Sequence, residues 1–187
     1  DIDFKYLGKN WPIKAAEAIL DNKVIAIFNN SMEYGPRALG NRSIMANAFN
    51  PKMRDILNLK VKKRPKYQPF CPSILKQDRE QLFLSSFDHK FMAIAFRLKK
   101  KFWKLIPSMT HIDGTSRPQF VDERDNKDFY KLLKTIKKRK KFGVVLNTSF
   151  NLHGRAMVRT PQDAIDDFLD CNIDKLYLGG FLVIKKT

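Results

Sequence analysis

Long apolar runs are absent from this sequence, and without a stretch of about 18 such residues no membrane-spanning helix is expected. Cysteine is scarce: Cys71 and Cys171 stand alone, without C-x-x-C spacing. That excludes a disulfide framework and a cysteine zinc site, and leaves two buried or half-buried free thiols, as in a reducing cytosol. A cytoplasmic location is expected on that ground. Three histidines, His89, His111 and His153, show no mutual spacing, so no metal site is expected, and each reads as structural or surface. No G-x-S-x-G elbow and no G-x-x-x-x-G-K-[ST] loop occurs, which argues against a serine hydrolase of that type and against a P-loop. Repeats, low-complexity tracts and linkers are missing too, so residues 1–187 read as one domain. The first residues carry neither an initiator methionine nor a signal-peptide pattern, and the chain reads as a fragment of something longer. Acidic residues are in short supply, 19 against 36 Lys and Arg, for a formal charge of +17. Such a balance suits polyanions (nucleic acid, a membrane surface, nucleotide phosphates) or reflects a lysine-biased genome.

What is present is material for a core. The chain is 43% hydrophobic, with fifteen phenylalanines, which argues for a folded domain rather than a disordered one. Residues 24–28, all apolar and rich in β-branched and aromatic side chains, predict a buried strand. Residues 13–20 predict a first helix entered through Trp11-Pro12. Further strands are expected at 43–46, 72–75, 91–96 and 143–146, with two short ones around Gly179-Gly180. Helices are expected from Asn50-Pro51 to Pro65, over 78–84, over 126–140 and from Thr160-Pro161 onward, with Ala164, Ile165, Phe168 and Leu169 facing inward. Strand and helix alternate, giving an α/β (α+β) fold.

Two stretches could carry chemistry. Between the strand at 24–28 and the helix at 50–65 lies Glu33-Tyr34-Gly35-Pro36-Arg37-Ala38-Leu39-Gly40-Asn41-Arg42-Ser43. Its glycines and proline turn the backbone while Arg37 and Arg42 present permanent cations; the helix then delivers Lys62 and Arg64 at its end. This reads as a phosphate site, or as ordinary turn chemistry with cations favoured by a helix dipole. The second stretch, Asn147-Thr148-Ser149-Phe150-Asn151, crowds amides and hydroxyls at a strand exit. It suits a planar carboxamide-like group or a phosphate, or else an Asx or Ser/Thr turn satisfying itself. The basic tail Lys137-Lys138-Arg139-Lys140-Lys141 reads as a solvated helix end, with an RNA patch as the alternative.

Taken in order, the 33–44 stretch, Asn58-Leu59-Lys60-Val61-Lys62-Lys63-Arg64 and Pro69-Phe70-Cys71-Pro72 resemble the C-terminal domain of the NodU and tobramycin carbamoyltransferase family. Thr110-His111-Ile112-Asp113-Gly114-Thr115 with Arg117, and Leu146-Asn147-Thr148-Ser149-Phe150-Asn151, match it further on. Lys62-Lys63-Arg64-Pro65 and the 148–154 segment look like the K-x-R and S-x-N patterns of YrdC-type proteins, which form carbamoyl adenylates. The resemblance implies a twisted mixed sheet flanked by helices, YrdC-like. It implies binding of carbamoyl phosphate and ATP, with Mg2+ accompanying the ATP, and formation of carbamoyladenylate. A separate N-terminal domain of the actin-like ATPase superfold, not contained in this sequence, would pass the carbamoyl group to a hydroxyl acceptor. Carried over by position, Lys62, Arg117 and Ser149 would be catalytic. Arg37 would join Lys62 and Arg117 in gripping phosphates, and Asn147 would join Ser149 in holding the carbamoyl group or its phosphate. Arg42, Arg64 and Asn151 would contact phosphate directly or support the turns.

The chain departs from the family at Gln68, where an arginine is usual, with Lys66 as a possible compensation, and at Arg155-Ala156 in place of Glu-Pro. Two other functions compete: a threonylcarbamoyl-AMP synthase-like protein of tRNA modification, and a non-catalytic RNA-binding module. The G-P-R-A-L-G and T-H-I-D-G-T segments belong to the carbamoyltransferase pattern, and RNP and GXXG signatures are missing. Small-molecule partners are therefore expected, and nucleic acid is not.

Overall fold

The computed structural model describes residues 2–152 and 154–186. His153, named above among the histidines and in the 148–154 segment, lies outside the described residues. The elements are β1 (Ile2–Tyr6), α1 (Trp11–Leu20), β2 (Ile25–Phe28), β3 (Arg42–Asn47), α2 (Met53–Ile56) running into a π-helical turn (Leu57–Val61), and β4 (Cys71–Leu75). They continue with α3 (Arg79–Leu82), β5 (Phe96–Arg97), β6 (Thr115–Ser116), β7 (Gln119–Val121), α4 (Lys127–Arg139), β8 (Val144–Ser149), α5 (Pro161–Asp170), β9 (Lys175–Leu178) and β10 (Phe181–Lys185). Eight strands form one mixed sheet in the order β1-β10-β9-β2-β3-β8-β4-β7, parallel at β2–β9 and β4–β7 and otherwise antiparallel; β5 and β6 pair separately.

Both faces of the central sheet are covered, which explains why β2 is apolar at every position rather than alternating. On one face Ile25, Ile27, Met45 and Val145 pack against α1 and α4, through Ala15, Ile19, Phe129 and Leu133. On the other, Ala26, Ile44 and Leu146 meet Met53, Leu57, Val61 and Phe168. The helix ends carry the signals that the sequence displays. Asn126 Oδ1 accepts the Phe129 N–H at the start of α4, and Thr160 and Asp163 form a reciprocal capping box on α5.

Several expectations need correction. Residues 91–95 are not a strand: only Phe96 and Arg97 pair, because the preceding stretch has no ladder partner and turns at Met92, whose φ is +54°. The helix after Asn50 is short and finishes as a π turn, closed by the Lys62 N–H donating to the Leu57 carbonyl over 2.8 Å. Leu169 does not face inward but is 41% exposed, while Asp167 takes a buried position. β8 extends through Ser149, so Asn147, Thr148 and Ser149 lie in the strand and Asn151 just beyond it. β1 was not expected at all: its pattern is weak, and only the ladder to β10 makes it a strand. In the basic tail, Lys137 pairs with the buried Asp78, which also accepts the Gly143 N–H.

One glycine is indispensable to the loop before β3. Gly40 sits at φ +120°, and a Cβ there would lie 2.4 Å from the Phe129 ring. Gly40→Ala is expected to cost about 2–4 kcal/mol through backbone strain and overpacking. Calorimetry would read this as a fall of roughly 5–10 °C in the unfolding midpoint; an unchanged midpoint would mean that the loop is not held against α4.

Candidate functional site

At the carboxyl end of β8 lies a cleft of about 360 Å³, walled by the 36–38 loop, the segment after the π turn, residues 68–71, the 147–151 segment and Gly154. Arg37, Lys62, Arg64 and Arg117 all line it, together with Asn147, Ser149 and Asn151, and no carboxylate is among its described lining residues. Seven of the eight candidates thus converge on one place. The eighth, Arg42, does not line it. Its guanidinium lies 3.6 Å from the centre of the Phe28 ring and donates to the carbonyls of Asn29, Asn30 and Asn41. Arg42 is a support for the turn, and burial, opposed by Glu33, depresses its pKa.

The floor of the cleft is a buried network. Asn147 Nδ2 donates to the Ala38 carbonyl (3.1 Å) and to Ser73 Oγ (2.9 Å). Ser73 Oγ donates to Gln119 Oε1 (2.7 Å), and Gln119 Nε2 donates to the Leu39 carbonyl (2.9 Å). Strands β8, β4 and β7 are thereby tied to the loop that carries Arg37. Because Nδ2 must face two acceptors, Asn147 Oδ1 is left buried and without a partner among the described residues. Arg117 Nε is in the same condition.

Lys62 is placed differently from a free phosphate clamp. Its ammonium, buried with the residue 6% exposed, donates to the Ser149 carbonyl, the Asn151 carbonyl and Asn151 Oδ1 at 2.9–3.0 Å. Burial, and then the neighbouring Arg64, bring its pKa down to about 8. Asn151 Oδ1 also accepts the Ser149 hydroxyl (2.6 Å), while its Nδ2 donates to the Leu152 and Arg155 carbonyls. The Ser149 proton is therefore committed, and its Oγ offers the cleft lone pairs only. Arg64 lies 4.4 Å from the centre of the Phe70 ring and donates through Nε to Asn58 Oδ1 (2.7 Å); burial depresses its pKa.

Other parts of the site had no function assigned from sequence. Glu33 Oε1 accepts the backbone N–H groups of Leu39, Asn41 and Arg42 at 2.7–3.2 Å, gathering the glycine loop around one carboxylate. A carboxylate placed just before a Gly-Pro turn was the available signal. Asn58, fully buried, fastens the carbonyls of Lys66 and Gln68 and shapes the 62–68 segment. Met92 in the lining, and Lys63 between the lining residues Lys62 and Arg64, both have positive φ, a strain that functional sites tend to hold. Gln68 lines the cleft and Lys66 does not. Arg155 pairs with Asp167 and Asp170 on α5 instead of entering the cleft. Cys71 lines the cleft, while burial pushes the Cys171 thiol up to about 11; both are free. Among the described residues no three His, Cys, Asp or Glu side chains form a metal-holding group, and no helix is long and apolar enough to cross a membrane.

A family model described as carbamoyltransferase C-terminus matches residues 16–185. The chain belongs to this family. The uncharacterized protein MJ1058 of Methanocaldococcus jannaschii is 57% identical over 99% of the chain and 30% of its own length. The 3'-hydroxymethylcephem-O-carbamoyltransferase of Streptomyces clavuligerus is 33% identical over 80% of the chain and 28% of its length. The chain thus spans less than a third of the length of these relatives. Among solved structures, full-length HypF in a phosphate- and nucleotide-bound form superposes with a TM-score of 0.64 at 17% identity, covering 95% of the chain and 22% of HypF. The carbamoyltransferase C-terminal fold is accordingly YrdC-like.

Proposed function

We propose that the cleft binds carbamoyl phosphate and ATP and joins the carbamoyl group to AMP. The observation that supports this best is the composition of the lining: four cations with no carboxylate among the described lining residues, together with the lone pairs of Ser149 Oγ and of Asn147 Oδ1, which is buried and without a partner among the described residues. The two residues stand two apart on β8 and so share a face of the strand. A phosphate offers acceptors only and needs the cations; a carbamoyl NH2 offers two N–H donors and needs acceptors. Carbamoyl phosphate carries both ends.

In this reading carbamoyl phosphate and water give carbamate and phosphate. The carbamate oxygen then attacks the α-phosphorus of ATP, forming carbamoyladenylate and releasing pyrophosphate. Arg37 and Arg117 neutralise the phosphate oxygens as charge builds, and preorganised cations in a partly dry cleft are the effective means of doing so. Lys62 contributes charge from below while fixing the loop at 149–151. Arg64 adds to the field. Magnesium brought with ATP would be held by phosphate oxygens and water, since the described lining has no carboxylate to offer it.

The remaining two-thirds of the longer relatives would house the transfer to a hydroxyl acceptor. Incubating this chain with labelled carbamoyl phosphate, ATP and magnesium, and resolving the nucleotides, is expected to show carbamoyladenylate and pyrophosphate, with no carbamoylated alcohol. Failure to bind both ligands would remove the assignment.

A further inference from the structure

We propose that a second cavity, beside the phosphate cleft, takes the nucleoside end of ATP with its base stacked on the Tyr34 ring, a role that rests on ATP being a ligand of the cleft. The cavity measures about 660 Å³ and is lined by residues 32–35 of the glycine loop, by 155–159, and by Asp163, Asp166 and Asp167 of α5. It continues the cleft along two of its walls. Gly35 lines the cavity and the adjoining Pro36 the cleft; Gly154 lines the cleft and the adjoining Arg155 the cavity. At both crossing points there is room. A Cβ added to Gly35 or to Gly154 would meet nothing within 4 Å, so no side chain closes one space off from the other there.

The two spaces differ in what they accept. The cleft has four cations and no carboxylate among its described lining residues, which suits phosphate. The cavity has four carboxylates, Glu33, Asp163, Asp166 and Asp167, against Arg155 and Arg159, a balance that turns phosphate away. Much of this charge is engaged within the fold: Glu33 gathers the glycine loop, Asp163 caps α5, and Arg155 pairs with Asp167. What the cavity presents to solvent is apolar surface with an acceptor beside it. Tyr34 is fully exposed, Met32 is 45% exposed, and Asp166 is exposed. A nucleoside matches this chemistry, having a flat base with two apolar faces, N–H and O–H donors, and no charge of its own. An exposed tyrosine ring adds a stacking platform that is accessible without any rearrangement of the core. A molecule with a polyphosphate at one end and a nucleoside at the other therefore fits across the junction.

Calorimetric titration of the chain with ATP, methyl triphosphate and carbamoyl phosphate, in magnesium buffer, tests this; methyl triphosphate keeps the charge of ATP and lacks the nucleoside. Wild type should bind ATP at least about tenfold more tightly than methyl triphosphate. Tyr34→Ala should lose about tenfold or more in ATP affinity and keep methyl triphosphate and carbamoyl phosphate within about twofold, because only the stacking surface is removed. Its unfolding midpoint should not move, since the side chain is exposed. Tyr34→Phe, which keeps the ring, should retain ATP affinity within about twofold. Equal wild-type affinity for ATP and methyl triphosphate overturns the inference while leaving the phosphate cleft in place. Unchanged ATP binding in Tyr34→Ala, or an equal loss for methyl triphosphate, overturns it too. If wild type binds neither methyl triphosphate nor carbamoyl phosphate, the phosphate cleft itself is misassigned and the nucleoside site falls with it.

Discussion

Arg117→Ala is expected to lower carbamoyl-phosphate-dependent turnover of ATP by two orders of magnitude or more while leaving the unfolding midpoint nearly unchanged. The guanidinium is half-buried, lines the cleft, and has no partner for Nε among the described residues. Removing it therefore breaks no internal hydrogen bond at that nitrogen. What it removes is a charge-assisted contact, worth about 1.5–3 kcal/mol to a bound anion. In a partly dry transition state such a donor is worth more, on the order of a hundredfold to a thousandfold in rate. Pyrophosphate release gives the rate and calorimetry gives the midpoint. Near wild-type turnover would take Arg117 out of the site.

Lys62→Met should behave differently, losing both activity and stability. Three oxygens of the 149–151 segment lose a donor. Asn151 Oδ1 keeps the Ser149 hydroxyl and the Ser149 carbonyl keeps the Asn151 N–H, so among the described residues the Asn151 carbonyl is the one left without a partner. An orphaned acceptor costs about 1–3 kcal/mol. For a chain of this size that is a fall in the unfolding midpoint of roughly 3–10 °C. Relief of the buried ammonium offsets part of it, since burial has already drawn the folded pKa down from 10.5 to about 8. The sign of the pH dependence follows. Between about pH 8 and 10.5 the unfolded chain holds this proton and the folded one does not, so this group makes the fold more stable as pH rises through that window. Ligand affinity should move the other way. The charge that favours phosphate is present below about pH 8 and is lost above it. Carbamoyl phosphate binding to the wild-type chain should thus weaken across pH 8, and the Lys62→Met variant should lack that step. A wild-type affinity flat from pH 7 to about 9 would separate Lys62 from the ligand field.

A fold held by one sheet and a site held by its loops differ in how far they are written locally. The apolar run of β2, the amphipathic stripe of α4 through Phe129, Leu132, Leu133 and Ile136, and the Thr160-Pro161 start of α5 were legible from short windows. Each depends on side chains a few residues apart. The convergence of Arg37, Lys62, Arg117 and Ser149 was legible only because the motifs resembled a known family; no spacing along the chain fixes it.

By itself the sequence determined the alternation of strand and helix, the apolar faces that cover the sheet, and the surplus of cations opposite few acids. Tertiary structure decided which cations face a ligand. Arg37 in the glycine loop and Arg42 at the start of β3 are five residues apart, yet one lines the cleft and the other is buried over Phe28, its terminal nitrogens donating to backbone carbonyls. It also decided that the Ser149 hydroxyl gives its proton to Asn151, that Asn147 keeps a free oxygen, and that Met92 turns through a left-handed conformation into the cleft. The physical reason is the range of the forces involved. Backbone propensity and side-chain periodicity act over one or two turns, whereas satisfying a buried polar group selects partners from across the whole sheet, and those partners are brought together only when it closes.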